Sequence, residues 1–238
     1  MLASWFHFTE RTWRVIIHDD GTVTDEAAAT MQRLFPEARI IRRKEADAAL
    51  EPVLLSFPFC ETFRSDDPSA LKILDALHFS PTNRFFVFDS DLLFFNYPRE
   101  LVDWAEGATS GCWFSEAAEE QSLVTPAEAR DEVGVTVWPR VDTGISLWEK
   151  PALDLDFMDT ALARTSILRG SLKYAAQTLA MLCAARYGKG GLLPRRYEVS
   201  RGRDAADEAI GRHYTGAARE RFFEDGLKRL VPHLFPPG

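Results

Sequence analysis

Two aspartates, Asp89 and Asp91, stand two positions apart inside a run of apolar and aromatic residues that extends over 85–95. The run is short, rich in phenylalanine and bounded by Pro81 and Pro98, and this pattern predicts a buried strand. Because burying two unpaired carboxylates side by side is costly, we expect either an open cleft at the strand end or a cation between them. Both alternatives predict a chemical site at the carboxyl end of a central strand, where α/β sheets bind their ligands.

This carboxylate pair is suited to a hard divalent cation. Mg²⁺ and Mn²⁺ prefer oxygen ligands, commonly one or two carboxylates together with substrate phosphates. A cation held by Asp89 and Asp91 would join the protein to a diphosphate and withdraw charge from a leaving group. The alternative is a pair of solvated acids at an exposed strand end.

A second candidate group lies near the carboxyl terminus, at His213, Gly216 and Arg219. A neutral imidazole is a good ligand for a transition metal and would suit Mn²⁺. We expect Gly216 to begin a helix over about 216–230, whose free N–H groups could hold a phosphate, with Arg219 one turn inside. The alternative is a surface histidine that precedes a helix.

Two further groups carry polar chemistry. Asp19, Asp20 and Gly21 follow the first predicted strand, and a carboxylate there could accept hydrogen bonds from a ribose or a base, although the same residues favour a simple turn. Arg64 and Lys72 lie between the second and third predicted strands and could pair with a diphosphate, or could belong to a solvated helix face.

The elements that would position these residues alternate in the first part of the chain. The order strand, helix, strand, helix, strand is typical of a mostly parallel sheet with right-handed crossovers. Strands are predicted over 13–18 and 38–41 and in the run that begins at Phe85, and helices over about 24–35, 45–55 and 69–79.

The second part of the chain is more mixed and predicts a smaller mixed sheet. Strands are predicted over 111–114, 133–138 and 144–148, helices over 153–168 and 171–187, and a short strand or extended link over 192–194. Since no flexible linker or repeat interrupts the pattern, we expect one domain over 1–238 with two subregions, 1–97 and 98–238.

The composition limits the function classes. The chain has 238 residues, 46% of them apolar and 27% charged, as is typical of a globular protein. The net charge of −8 and the absence of a basic stripe argue against a nucleic-acid partner. No apolar run approaches the roughly 20 residues of a membrane helix. With an odd number of scattered cysteines and no apparent signal peptide, we expect a cytoplasmic location.

Taken in order, these motifs resemble those of the GT-A type nucleotide-diphospho-sugar transferases, in particular the bacterial glycosyltransferases related to glycosyltransferase family 8. The resemblance spans about 13–230. Asp89-Ser90-Asp91 resembles the metal-binding Asp-x-Asp motif of that family, and Asp19-Asp20-Gly21 its nucleoside-contacting turn. His213-Tyr214-Thr215-Gly216 resembles the His-x-x-Gly turn that supplies a third metal ligand.

The resemblance also implies which residues border the donor sugar. The stretch that contains Asp142, Thr143 and Gly144 resembles the family's Asn-Ser/Thr-Gly strand, and Gln177 matches the glutamine of its Asp-Gln pair. Leu193-Pro194 with Tyr197 resembles a Leu-Pro-x-x-Tyr link.

Three departures accompany the resemblance. Only twelve residues precede the first predicted strand, so the strand that normally begins a GT-A domain is expected to be missing. Asp142 stands where asparagine is usual, and Ala176 where an acid would precede Gln177. Arg219 stands in place of the usual lysine, which keeps the charge but changes the donor geometry.

The resemblance therefore implies a Rossmann-like GT-A fold, with a nucleotide-binding half at 1–97 and a sugar- and acceptor-binding half at 98–238. It also implies a metal-dependent glycosyltransferase that transfers a sugar from a nucleotide-diphosphate sugar, preferably a UDP-sugar, to an unknown acceptor. Asp89, Asp91 and His213 would hold Mn²⁺ or Mg²⁺. The catalytic residues would be Asp89, Asp91, Asp142 and Gln177. Nucleotide-sugar contacts are expected from Asp20, Gly21, Arg64, Lys72, Ser90, Thr143, Gly144, Gly216 and Arg219.

Two alternatives are open. One is a binding domain that has kept the fold without the catalysis. The other is a phosphatase in which Asp89 attacks phosphorus and Asp91 serves as the acid. Against the phosphatase, the motif lies 88 residues into the chain and lacks the following Gly-Thr.

Overall fold

The computed structural model describes residues 1–199 and 206–234. Helices and strands are interspersed throughout these ranges, as expected for an α/β protein. The α-helices are α1 (Leu2–Thr9), α2 (Asp25–Leu34), α3 (Arg43–Leu54), α4 (Pro58–Asp66), α5 (Leu74–Phe79), α6 (Arg99–Ala105), α7 (Pro126–Val133), α8 (Leu155–Arg164), α9 (Ala175–Tyr187) and α10 (Lys228–Leu234). The strands are β1 (Ile16–His18), β2 (Arg39–Ile41), β3 (Arg84–Phe88), β4 (Leu92–Phe94), β5 (Cys112–Glu116), β6 (Val141–Glu149), β7 (Gly190–Leu192), β8 (Tyr197–Val199) and β9 (Gly211–His213).

Short polar residues set several helix boundaries. The side chains of Thr24, Thr125 and Asp154 accept hydrogen bonds from backbone N–H groups in the first turns of α2, α7 and α8. Gly134 and Gly188 end α7 and α9 in the left-handed conformation that suits a residue without a side chain. These ends therefore follow from the local sequence.

In the part of the chain that the structure describes, the strands form three sheets. The largest has the order β3-β6-β5-β7, in which β6 is antiparallel to both β3 and β5, and β7 is parallel to β5. A three-stranded sheet has the order β4-β9-β8, and β1 and β2 form a parallel pair.

The sequence-based prediction of a mostly parallel central sheet does not match this pairing. In the described residues, β3 pairs with β6 from the second half of the chain instead of continuing the β1–β2 pair. The apolar β3 sequence correctly indicated a strand, but an apolar run carries no information about the direction of its neighbour.

Several other elements differ from the prediction. The predicted strand over 133–138 is wrong, because α7 continues to Val133 and Gly134 then ends it. The predicted helix over 216–230 is divided into a 3₁₀ turn (Gly216–Ala218), a π-helical segment (Phe222–Leu227) and α10. The predicted helix over 69–79 begins as a 3₁₀ turn (Pro68–Lys72) before α5.

Among the described residues, two of the three buried apolar clusters hold the sheets around the site in place. The larger surrounds α9, a helix whose residues are buried on nearly every side, and includes Phe63, Phe114 and Trp148. The second joins Trp5 of α1 to Phe94 of β4 and Trp104 of α6. The Trp5 ring packs against Phe86 and Phe88 of β3 and against Phe94 of β4, so it helps to hold the two strands on either side of the link that carries the candidate site.

Candidate metal centre

Side chains from two distant parts of the sequence, Asp89 and Asp91 in one and His213 in the other, converge at the end of β3. The Nε2 atom of His213 lies 3.3 Å from Asp89 Oδ2 and 3.2 Å from Asp91 Oδ1. One ligand atom from each of the three residues can be chosen so that all lie within 4.8 Å of one another. The predicted grouping of Asp89, Asp91 and His213 is therefore present.

Backbone pairing explains this convergence. Residues 89–91 form the link by which the chain leaves β3 in the four-stranded sheet and enters β4 in the three-stranded sheet. His213 is the last residue of β9 and lies opposite Leu92 of β4. The Tyr214 N–H also donates to the Asp91 carbonyl at 2.9 Å, which holds the end of β9 against the acidic link.

The strand β6 also borders the site, next to the acidic link and the end of β9. The Asp89 N–H donates to the carbonyl of Gly144 at 3.0 Å, so the link also lies beside β6. Gly144 touches the imidazole directly: a Cβ atom built there would lie 2.2 Å from His213 Nδ1 and 2.4 Å from its Cγ. The absence of a side chain at Gly144 is therefore what allows the ring to lie against β6.

Asp142 lies next to His213, a contact that the sequence did not indicate. Its Oδ1 atom lies 3.0 Å from His213 Nδ1 and accepts a hydrogen bond from the Gly144 N–H, also at 3.0 Å. The residue is 4% exposed. Asp142 was expected to border the donor sugar, whereas its carboxylate bonds to the candidate metal ligand.

Each carboxylate of the pair also has a basic partner. The Nζ atom of Lys72 donates to Asp89 at 2.6 Å, and the guanidinium of Arg219 donates to Asp91 Oδ2 at 3.0 and 3.3 Å. Lys72 ends the 3₁₀ turn before α5, and Arg219 follows the 3₁₀ turn after β9. Both positive charges therefore flank the candidate metal centre, and their contact with a diphosphate stays a prediction.

The surroundings shift the pKa values of all three candidate ligands. Burial raises the pKa of Asp89, but the hydrogen bond with His213 and the charge of Lys72 outweigh burial and lower the pKa to about 2. For Asp91, burial is likewise outweighed by the interactions with His213 and Arg219, which lower its pKa. Burial lowers the pKa of His213, but Asp142 and the bonds to Asp89 and Asp91 raise it well above the ordinary value.

This arrangement fits a divalent metal ion. Asp142 engages Nδ1, so Nε2 is the ring nitrogen that faces the two carboxylates. Two carboxylate oxygens and one imidazole nitrogen are a donor set that Mn²⁺ accepts. Two carboxylates that close to one ring nitrogen require a positive charge between them, which either a proton on Nε2 or a cation supplies.

Arg64 was predicted to contact the nucleotide sugar, but its described contacts lie within the protein. Its guanidinium donates to both oxygens of Asp75, at 2.8 and 3.0 Å, and to Asp47 at 2.6 Å. Asp75 is fully buried and the Arg64 side chain is 8% exposed. These contacts identify a buried ion pair that ties α4 to α5.

Asp20 and Gly21 form a turn after β1. The Asp20 carboxylate is exposed and accepts from the N–H and the hydroxyl of Thr22, while Gly21 has a positive φ of 101°. The neighbouring Asp19 is buried and accepts from the N–H groups of Gly21 and Val23. Asp20 is therefore the acid of this turn that faces solvent.

The other predicted contacts lie on several elements. Ser90 is exposed between the two aspartates, and Thr143 is buried in β6. Gln177 lies on α9 and donates to the side chain of Gln121 at 3.3 Å, which links it to the 117–125 segment. Gly216 begins a 3₁₀ turn of three residues, which is too short to provide the phosphate-binding helix end that was expected.

The fold has a counterpart among solved structures. The chain matches the crystal structure of mouse xyloside xylosyltransferase 1 in its apo form with a TM-score of 0.53 over 89% of each chain. The sequence identity in this match is 12%. The chain has a glycosyltransferase-like fold. No protein-family profile and no curated protein sequence matches it.

The same fold similarity bears on the wider predictions. It supports a mixed α/β architecture similar to that of a glycosyltransferase. Across the described residues, every helix is too short or too polar to span a bilayer.

Proposed function

We propose that the chain is a metal-dependent glycosyltransferase that takes its sugar from a nucleotide-diphosphate sugar, by preference a UDP-sugar. The observation that carries the proposal is the convergence of Asp89, Asp91 and His213 with Lys72 and Arg219 beside them. The similarity of the fold to that of a xylosyltransferase supports the same reaction class.

In the proposed reaction, the bond between the anomeric carbon and the diphosphate oxygen breaks, and the electron pair leaves with the diphosphate. A hydroxyl oxygen of the acceptor forms the new bond to the anomeric carbon and releases its proton. A divalent ion held by Asp89, Asp91 and His213 would supply Lewis-acid stabilisation of the developing negative charge.

Lys72 and Arg219 add fixed positive charge at the same place. In the described structure they pair with Asp89 and Asp91, respectively. Their side chains are 30% and 71% exposed, so both can also reach a ligand on the solvent side of the carboxylates. Charges that are already in place when the leaving group becomes negative contribute strongly to catalysis.

The polar residues around this centre have proposed roles in donor binding. Asp20 presents a solvent-facing carboxylate to the nucleoside, and Gln177 presents an amide to the sugar. Ser90, Thr143 and Gly144 border the donor through the acidic link and β6. Since the donors of Arg64 already bond to Asp47 and Asp75, we assign the diphosphate contacts to Lys72 and Arg219.

The proposal is tested by release of UDP from a panel of UDP-sugars with and without Mn²⁺. We expect metal-dependent turnover by the wild-type protein and a loss of about 10²–10³-fold in Asp91→Asn, the loss typical of removing one fixed electrostatic group. Asp156→Asn, which alters an exposed aspartate in the first turn of α8, is the matched control and should retain full turnover.

Two results would contradict the proposal. Equal metal-dependent turnover by Asp91→Asn and the wild type would remove Asp91 from the reaction. Binding of UDP and Mn²⁺ without turnover of any donor, measured by calorimetry and product analysis, would instead favour the non-catalytic binding domain.

A further inference from the structure

The carboxylate of Asp142 is held in one orientation by two donors. The His213 ring and the Gly144 N–H both approach the same oxygen, Oδ1, at 3.0 Å. Asp142 lies in β6 and is 4% exposed, so water does not compete freely for this oxygen. The carboxylate therefore has a fixed direction before any ligand binds.

This fixed carboxylate in turn fixes the imidazole. With Nδ1 as the donor to Asp142, the neutral ring carries its lone pair on Nε2, the atom that faces Asp89 and Asp91. Gly144 lies against the ring on the β6 side and prevents it from moving further toward that strand. The ring is therefore held both by a hydrogen bond and by contact with the backbone.

Such outer carboxylates are known to orient histidine ligands and to increase their basicity. An asparagine oxygen could accept the same hydrogen bond, but it would bring no negative charge to the imidazole. The aspartate thus gives this chain a stronger partner for its histidine.

We propose that Asp142 is a positioning residue that orients His213 toward the metal and strengthens it as a ligand. This inference rests on the metal site of the proposed function, although it does not depend on which sugar is transferred. It differs from the sequence-based expectation that Asp142 contacts the donor sugar.

Three variants separate this role from general stability. Asp142→Leu removes both acceptor and charge at similar size. Asp142→Asn keeps the acceptor but removes the charge, and the two N–H groups that converge on Oδ1 fix its amide oxygen there. Asp159→Leu is the matched control, because Asp159 Oδ1 also accepts two hydrogen bonds, from the N–H groups of Phe59 and Cys60.

The first readout is the affinity of each purified, folded protein for Mn²⁺ alone, measured by isothermal titration calorimetry. We expect Asp142→Leu to bind Mn²⁺ about 10–100-fold more weakly than the wild type, with Asp142→Asn between the two. Asp159→Leu should lower the melting temperature but leave the affinity unchanged. Should Asp142→Leu fail to fold, the comparison of Asp142→Asn with the wild type decides the matter.

The second readout is pulsed electron paramagnetic resonance of the bound Mn²⁺. We expect coupling to an imidazole nitrogen in the wild type, its loss in His213→Ala, and a marked reduction in Asp142→Leu. A merely structural role for Asp142 would leave this coupling unchanged.

The outcomes distinguish this inference from the proposed function. Weaker Mn²⁺ binding by both Asp142 variants supports the inference even if no UDP-sugar is turned over. Equal Mn²⁺ affinity of Asp142→Asn and the wild type, or no Mn²⁺ binding by the wild type, overturns it. Normal metal binding by the Asp142 variants with weaker UDP-sugar binding would restore the sugar-contact role.

Discussion

Gly144→Ala is the substitution whose effect on the metal centre follows most directly from the geometry. The added Cβ would lie 2.2 Å from Nδ1, 2.4 Å from Cγ and 2.7 Å from Cε1 of His213. Non-bonded heavy atoms pack at about 3.5–4.0 Å, so the ring or the β6 backbone must move by more than ~1 Å. Neither can move by that distance without breaking contacts at the site.

The expected magnitude has two parts. A ring displaced from Gly144 loses its 3.0 Å contact with Asp142 and no longer holds Nε2 within 3.2–3.3 Å of Asp89 and Asp91. Overpacking of this kind costs about 1–3 kcal/mol of stability. A displacement of about 1 Å in a catalytic group lowers the rate by roughly 10²-fold.

Calorimetry with Mn²⁺, urea unfolding and UDP release would measure these effects. We expect the Gly144→Ala protein to be folded but less stable, to bind Mn²⁺ at least about tenfold more weakly, and to lose most of its turnover. Gly170→Ala is the control, because nothing lies within 4 Å of a Cβ at Gly170. Wild-type Mn²⁺ affinity in Gly144→Ala would refute the contact between β6 and the imidazole.

Three further predictions concern charge and metal. Arg64→Met should lower the free energy of unfolding by ~3–5 kcal/mol, because it leaves the buried Asp75 unpaired, and should leave the Mn²⁺ affinity unchanged. A loss below about 1 kcal/mol in urea denaturation would contradict the buried ion pair. Lys72→Met should lower kcat/KM for the nucleotide sugar by roughly 10–100-fold, which corresponds to the loss of one charged hydrogen bond. Mn²⁺ binding should not weaken, because the Lys72 amine competes with the metal for Asp89; weaker Mn²⁺ binding would show that Lys72 supports the metal instead. Mn²⁺ at about 100 times its Kd should stabilise the wild type by ~2.7 kcal/mol and raise Tm by roughly 5–10 °C, and a chelator should reverse the shift; an equal shift in Asp89→Ala would place the ion elsewhere.

Asp89, Asp91 and His213 could be predicted as site residues because short stretches of sequence around them indicate their chemistry. Two aspartates within an apolar run indicate a site wherever the strand ends, and His213 is followed closely by Gly216 and Arg219. The resemblance to a glycosyltransferase family joined the two groups, which lie 122 residues apart. The structure confirms that they meet.

The contact between Asp142 and His213 could not be predicted in the same way. It depends on how β6 lies against β3 and on the direction of the side chain at 142, which periodicity does not specify. A local signal for this contact is the glycine at 144, because a glycine inside a strand often marks a place where another group approaches the backbone closely.

The missed helices have identifiable local causes. No helix was predicted over 58–66, where Pro58 occupies the first turn of α4 and its missing N–H costs nothing. Helix α1 lacks a side-chain N-cap and contains several aromatic residues, so its helical signal is weak, and burial of Trp5 supports it. The strand predicted over 133–138 is wrong because Gly134, in the left-handed conformation, ends α7 within that range.

The central claim is that one divalent ion is held by Asp89, Asp91 and His213 and meets the diphosphate of a nucleotide. Anomalous diffraction from crystals grown with Mn²⁺ and UDP tests it most directly. We predict one manganese peak within about 2.0–2.3 Å of a carboxylate oxygen from each aspartate and of His213 Nε2, with diphosphate oxygens completing the coordination. A manganese peak away from these three side chains, or UDP bound with no ion between it and Asp91, would contradict the claim.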